Sequence, residues 1–523
     1  MAGLLVVGII AGFIYFGFRT GFRYQAHMME SDAERAVLVP LLIFQAVILF
    51  LAGTGQVAAG ITAEADEGTL DYQRLSPMTP LAKVLGYLTG LPVREWCLFA
   101  ITLPFTGWAL WKGEVEAASW VPVYGALLSS AVLYHLTGLV AGTVVKNRRW
   151  AFLVSIGVIF LLYTVIPQAA KFGLVYFKYL TLWPVVDENL AGMMPREAGG
   201  LIRLAKSMEP DVRFFGLHFS EIAFTLFTQV FLSLTFGMML WRRWRRADSH
   251  LLGKAWAVGV FGWMQLMLLG NALPLIAPGL LFPSRQFNQR FFREENWQPQ
   301  VGEAVAMIGV YGLVTLLLMV VLTLIITPGT EQQIMGLQRG RKLGWKRLPP
   351  LSDPASSLWI VVLMAAVGAA GWTIFSTQLL QSDWFAGHQL VPYASGAFLL
   401  VLLGGGLICQ GVLEAWGGQR FFLVCVFGAV LPVMVGGITA SVGTRSLTAA
   451  TWLAGVSPVA SPAYAAVVLV PTVEVPREVV RALPRAFWFW QGVTALVAGW
   501  VVWRLREIRQ SRRALVYKED ERS

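Results

Sequence analysis

Apolar residues along this chain fall into runs of about 18 to 25 that recur from end to end, each long enough to cross a hydrocarbon core of roughly 30 Å as a helix. In the first half these runs predict spans over Ala2–Phe18, Val37–Ile61, Pro80–Trp111, Val121–Val145, Ala151–Pro167 and Phe219–Trp241. The second half predicts six more, over Ala255–Phe282, Ala304–Ile326, Leu358–Leu380, Val391–Leu413, Phe421–Ala440 and Ala486–Trp503. The third run is over-long. Its start at Pro80 is expected to follow the membrane interface, with Arg94 and Glu95 marking the entry into the bilayer. A buried Arg94–Glu95 pair lining a path is the alternative.

Polar positions orient these spans. The clusters Lys146, Arg148, Arg149 and Arg242, Arg243, Arg245, Arg246 share one side with Arg339, Arg341, Lys342, Lys346, Arg347 and with Arg504, Arg506, Arg509, Arg512, Arg513. Cationic loops stay cytoplasmic, so both termini are expected there, in a multi-pass protein of the inner or plasma membrane. Trp108, Trp111, Trp120, Trp150, Trp241 and Trp503 sit near span ends, at headgroup level. Residues 1–250 and 251–523 repeat one plan: a Gly-Thr pair after the second span (Gly68-Thr69, Gly329-Thr330), a long loop between the fifth and sixth, and a closing Trp-Arg. In those long loops LVYFKYLTLWPVV and WLAGVSPVASPAYAAVVLV predict re-entrant or interfacial helices. The second of these could instead be a true span.

Composition agrees with a membrane solvent: of 523 residues 56% are hydrophobic and 14% charged. The fold class is therefore all-α, a polytopic integral membrane protein of about twelve transmembrane helices in two six-helix halves. No sizeable soluble domain fits between the spans. The net charge of +11 reports orientation, and nucleic acid is not an expected partner. Cys97, Cys409 and Cys425 lie in apolar runs without paired or metal-like spacing. MAGLLVVGIIAGFIYFGF lacks the charged start and cleavage site of a signal peptide and is read as the first span.

The densest acidic cluster, in EADEGTLDYQRLSPMTPLAKVLG, abuts the second span. Glu64, Asp66, Glu67 and Asp71 are expected at the start of a short helix, favourable to its dipole. Ser76-Pro77 breaks that helix, and Thr79-Pro80 supplies an N-cap with Pro at N1 for the next. A solvated loop, kept out of the bilayer by its charges, is the plainer alternative.

The run Glu64, Asp66, Gly68, Thr69, Leu70, Asp71, followed by Leu75-Ser76-Pro77, resembles the loop between the second and third helices of ABC-2-type transporter permeases. The six-span plan and the long fifth-to-sixth loop resemble that family too. The resemblance implies that segment 64–83 is a coupling helix docking on an ATP-binding subunit. Glu64, Asp66, Glu67, Gly68, Thr69, Leu70, Asp71 and Arg74 would then carry ATPase coupling. It further implies a partner ATP-binding subunit in two copies, with ATP and Mg bound there and no cofactor in this chain. Gly329, Thr330 and Glu331 keep a fragment of the motif in the second half, where a plain Pro-Gly turn reads equally well. Ala65 and Glu67 stand where the family carries basic residues, and the first span begins without the family's leading amphipathic helix.

No catalytic or nucleotide-binding motif competes. GLQRGRK, Gly336–Lys342, has the wrong spacing for a phosphate cradle. His27 and Asp32 share the His-x4-Asp spacing of glycerolipid acyltransferases, but a loop this short cannot build that enzyme's domain. No zinc or Asp-x-Asp metal site is present. The spans are nearly free of ionisable groups apart from Arg94, Glu95 and His135, a possible intramembrane polar site. For His135 a hydrogen bond to a neighbouring helix is the expectation. The resemblance thus implies a permease that exports an unidentified substrate, in contact with membrane lipid. An ion-coupled carrier and a non-transporting scaffold are the rivals.

Overall fold

The computed structural model describes residues 2–25, 27–145, 147–200, 212–246, 249–276, 282–283, 298–345, 347–385, 387–443, 446–470 and 477–518. Lys146 and Lys346 of the basic clusters lie outside the described residues. The chain forms two compact units, Met1–Ala170 with Val175–Ala247, and Lys171–Leu174 with Asp248–Ser523. It is an all-α polytopic architecture. Among the described residues ten helices are long and apolar enough to cross a membrane, and a bent pair qualifies as an eleventh span.

In the first unit α1 (Ala2–Thr20) is apolar on all sides and leaves Leu5, Ile9 and Phe13 exposed. Each such side chain forgoes about 1.5–3 kcal/mol if it meets water, so a lipid surround is the physical solution. The second span joins α2 (Glu30–Ala46), a π-helical stretch (Val47–Gly53) and α3 (Thr54–Asp66) into one continuous 37-residue helix. A short helix α4 (Thr69–Leu75) follows. Next come α5 (Pro80–Gly90) and α6 (Val93–Lys112), bent by 49° where Leu91 and Pro92 break the hydrogen-bond ladder. The bend falls just before Arg94 and Glu95. The remaining spans of this unit are α7 (Ala117–Val144), α8 (Arg148–Thr164) and α10 (Glu221–Arg245). Between the last two lie short 3₁₀ turns, α9 (Trp183–Met193) and a hairpin of β1 (Val212–Phe214) and β2 (Leu217–Phe219) paired antiparallel.

In this unit α3 and α7 approach closely. A Cβ at Gly142 would lie 2.1 Å from Ile61 Cγ2 and 2.7 Å from Ala58 O, and one at Gly138 2.8 Å from Thr54 O. Small residues one turn apart let two backbones close, and Thr62 Oγ1 donates to Ala58 O and to Gly142 O at 2.8 and 3.2 Å. The helix that ends at the acidic cluster is thereby clamped into the bundle.

The second unit contains α11 (Lys254–Leu275), α12 (Val301–Ile326), the polar α13 (Thr330–Lys342) and α14 (Leu358–Leu380). Its core is aromatic: Trp372 stacks on Phe398 at 4.2 Å between centroids, and Tyr311 on Phe375 at 4.7 Å. Then α15 (Ala394–Val424), a π-helical turn (Cys425–Val430) and α16 (Leu431–Ser441) read as one 48-residue helical stretch. At about 1.5 Å per residue that is more than twice the bilayer core. The resolution is at Gly417, whose φ of 79° and ψ of 177° are non-helical.

Contacts with α20 (Ala482–Lys518) show the reversal. Going down α15, Gly404 meets Thr494, Gly411 meets Val501 and Glu414 pairs with Arg509. Beyond Gly417, Ser457 Oγ donates to Ala429 O at 2.6 Å and Gly436 lies on Ala450 and Ala454. Those residues pack at the other end of α20, where Trp490 Nε1 donates to Trp452 O at 3.0 Å. The stretch crosses twice. Counting it as two spans and the bent pair as one brings the ten helices to twelve crossings among the described residues.

The apolar pieces of the second long loop form α17 (Leu447–Gly455) and α18 (Ser461–Leu469), followed by a single turn, α19 (Arg477–Val480). At nine residues each, α17 and α18 are half the length a span needs. The first packs on α16 and α20 and the second on α12 and α20, so the loop does not form the single span-length helix that was the alternative reading.

Candidate functional site

Glu64 and Asp66 do not begin a short helix; they complete the last turn of α3, a correction to the sequence reading. Burial of Ile61, Thr62 and Leu70 keeps the helix wound past the apolar run. Gly68 then stops it in the left-handed region, φ +73°, with its N–H on Ala65 O at 3.2 Å. Thr69 opens α4, and Asp71 is the one acidic residue in its first turn. Of Arg74 only the backbone, within α4, is described.

Two contacts hold α4 against the bundle, and a third braces the end of α3 that precedes it. Leu70 inserts among Val57, Ile61, Val84, Leu136 and Trp244. Lys83 Nζ donates to the carbonyls of Gln73 and Ser76, placing a cation at the C-terminus of α4, where the last carbonyls need a donor. Tyr87 OH donates to Glu64 Oε2, and the Tyr87 ring stacks on Trp244 at 5.1 Å. Thr79 Oγ1 accepts from Ala82 N at 3.3 Å with Pro80 at N1, so α5 starts as its cap residues dictate.

What this fixed segment presents outward is mixed. Asp66, Glu67 and Asp71 are exposed, and so are Tyr72 (79%), Leu75 (84%) and Met78. A cleft of about 460 Å³ opens beside them, lined by Glu64, Gln73, Ser76, Lys83, Tyr87 and Leu91. Carboxylates beside an aromatic ring and two flexible apolar side chains, beyond the polar end of a span, suit a protein partner better than lipid or bulk water.

The second-unit counterpart is built differently. Gly329 is extended, φ −72°, and caps α13, with its N–H on Gln332 Oε1 at 3.1 Å. Thr330 Oγ1 accepts from Arg512 Nη2 at 2.9 Å. Gly329, Thr330 and Glu331 are all exposed. Arg512 also binds Gln333 Oε1, and Gln333 Nε2 donates to Glu414 Oε1 at 2.7 Å. Glu414 is fully buried and takes a two-pronged ion pair from Arg509, Nε–Oε1 2.6 Å and Nη2–Oε2 2.5 Å. The second Gly-Thr fragment is therefore tied into a network with the C-terminal helix. Sequence reading missed this hub. Its signal was a lone glutamate in the last turn before Trp416-Gly417-Gly418, with arginines at 509 and 512, one turn apart.

The intramembrane candidates do not converge into one cluster. Glu95 is fully buried and pairs with the more exposed Arg94, Nη2–Oε1 2.6 Å. Its Oε2 has no hydrogen-bond partner among the described residues. His135 is buried, and its Nε2 lies 3.0 Å from Leu49 O in the π-helical stretch, so Nε2–H donates. A Cβ at Gly53 would lie 2.5 Å from that nitrogen, so imidazole and widened helix fit each other. The expected interhelical bond of His135 is present. Elsewhere in this unit Gln45 Nε2 donates to Thr102 Oγ1 and Thr106 Oγ1 at 2.8 and 2.9 Å, and Gln45 Oε1 accepts from Tyr124 OH at 2.7 Å. Asp32 Oδ1 accepts from Arg196 N at 3.1 Å, while His27 sits exposed in a left-handed turn, φ 51°. No group of His, Cys, Asp or Glu among the described residues is arranged to hold a metal. Comparison with protein-family models, with curated proteins and with solved structures gave no significant match.

Proposed function

We propose that this chain is the membrane-spanning permease subunit of an ATP-driven transporter of the ABC-2 type, working with a separate ATP-binding subunit in two copies. The observation that carries the reading is the firmly held foot at Asp66–Met78: a left-handed glycine turn braced at Glu64, a short helix pinned at Leu70 and at its C-terminal carbonyls, and a mixed acidic and apolar outer face. A segment that transmits force must be both exposed and firmly attached. In this reading the arginine-rich ends and both termini lie in the cytoplasm of a cell whose inner or plasma membrane holds the protein.

ATP and Mg bind the partner, and nucleotide-driven closure displaces α4. The clamp between Gly142 and Ile61 passes that displacement to α3 and α7 as one body. Alternate access follows as a shift between two packings, biased by the docking energy. The chain itself performs no catalysis, and export of its substrate is the direction the resemblance implies.

Replacing Asp66, Glu67 and Asp71 with Ala, and separately Tyr72 and Leu75 with Ala, should each cut co-purification of the ATP-binding subunit about tenfold or more. Folding, read by gel filtration, should be unaffected. Undiminished association in both variants overturns the docking role. One observation favours an ion-coupled carrier as a second reading, the fully buried Glu95. If transport into vesicles persists without ATP, follows an imposed proton gradient and is abolished by E95Q, that reading replaces the first.

A further inference from the structure

We infer that the second unit carries a binding site for the phosphoryl headgroup of an anionic membrane lipid, in the cleft between α13, the segment 347–356 and the end of α20. The cleft measures about 190 Å³ and is lined on its polar side by Arg347, Arg509, Arg512, Arg513, Ser356 and Tyr517. That volume accommodates one tetrahedral phosphate with room for its ester carbons.

Arg347 and Arg512 bring charge to the cleft that no carboxylate among the described residues contacts directly. Glu414 neutralises Arg509 through the two-pronged pair. Arg512 is held by neutral acceptors, the side chains of Gln333 and Thr330 and the carbonyl of Glu414 at 3.5 Å, which orient it and leave its charge unpaired by any carboxylate in those contacts. Arg513 lies over the Tyr517 ring at 5.7 Å, and Tyr517 OH is anchored on Trp345 O at 3.0 Å. Arg347 makes no hydrogen bond or ion pair among the described residues. Planar guanidiniums converging on one cavity recognise phosphate oxygens through paired N–H donors.

Depth selects the source. The chain reverses at Gly417, so the membrane surface on this side runs near that turn; with Gly404 beside Thr494 and Gly411 beside Val501, its level on α20 falls near Glu507. Arg512 and Arg513 follow that level by about 8 Å. The headgroup layer is roughly 5–7 Å thick on each side, and an arginine stem extends its guanidinium by several ångströms, so these two reach phosphate level. Exposed Trp416 and Trp503 on the membrane side of the cleft mark the same boundary.

The full-length protein in nanodiscs of phosphatidylcholine with added phosphatidylglycerol provides the test, with retained lipid counted by native mass spectrometry. Wild type should retain phosphatidylglycerol. R347A/R513A, which leaves the Glu414 network intact, should bind it roughly thirtyfold more weakly, at about a factor of five per arginine. R339A/R506A, an equal loss of charge outside the cleft, should change binding less than about threefold. Equal losses in the two double variants, or retention unaffected in both, overturn the site. If inorganic phosphate in pure phosphatidylcholine nanodiscs raises the melting temperature of wild type but not of R347A/R513A, and phosphatidylglycerol is not retained, the ligand is a soluble anion and the lipid assignment fails.

Discussion

Glu414 shows how much one residue can organise at the end of an apolar helix. Its carboxylate is fully buried and shared by Arg509 and Gln333, so removing it strands a guanidinium that is itself 22% exposed. Breaking a buried pair from one side costs about 3–5 kcal/mol, whereas removing both partners costs much less. E414A should therefore lower the melting temperature in detergent markedly, and E414L/R509L should recover most of the loss. A double variant as unstable as E414A would show that the pair is not the source. His250 offers a pH test at the same scale. Burial holds its imidazole below the ordinary histidine range, with Nδ1–H on Ile325 O at 3.1 Å and its backbone N–H on Asp353 Oδ2 at 3.2 Å. The unfolded chain then binds the extra proton first. Stability from this group is complete above the unfolded pKa of about 6.5 and declines on acidification toward the lower folded pKa. H250Q should flatten the melting temperature between pH 7 and pH 5, and an unchanged slope would exclude His250 as its cause.

At the level of elements, the α3–α7 contact is where sequence and structure meet most directly. Gly142 has no space for a side chain, so G142L should separate the two helices, destabilise the first unit by several kcal/mol and, with α3 displaced, uncouple the foot. Proteolytic sensitivity at Gly68–Ser76 is the readout. The spans themselves were legible in place, Leu358–Leu380 to the residue, because unbroken apolar length is a strong signal. Their ends were not. α3 winds on to Asp66 and α20 to Lys518, since helical hydrogen bonding continues wherever packing supports it, and hydropathy stops at the last apolar residue. The foot was legible as a Gly-Thr-Leu motif with a Ser-Pro break. That Glu64 would serve Tyr87, and Lys83 the end of α4, depends on contacts across the turn that no local pattern encodes.

For the molecule as a whole, the proposed placement of both termini and of the foot in the cytoplasm is open to a direct measurement. With Cys97 replaced, cysteines introduced at the exposed positions Leu75 and Glu116 lie at opposite ends of the first unit. An impermeant maleimide should label E116C on intact cells, and L75C only after permeabilisation. The reverse pattern would invert the topology and remove the foot from the compartment that holds ATP. The count of spans was readable because every run had its own polar flank. The turn at Gly417 was legible too, because the expected spans Val391–Leu413 and Phe421–Ala440 stop on either side of it; that helix continues right up to a single positive-φ glycine from both sides was not.

The unbroken α20 has a mechanical consequence. A helix of 37 residues is a stiff lever about 55 Å long, gripped near one tip by Trp490 on Trp452 and near the other by Arg509 and Arg512. Pivoting it by ten degrees would swing one tip by about 10 Å relative to the other. Whatever grips the guanidinium tip therefore sets the stance of the opposite membrane face, without any relay of side chains between them.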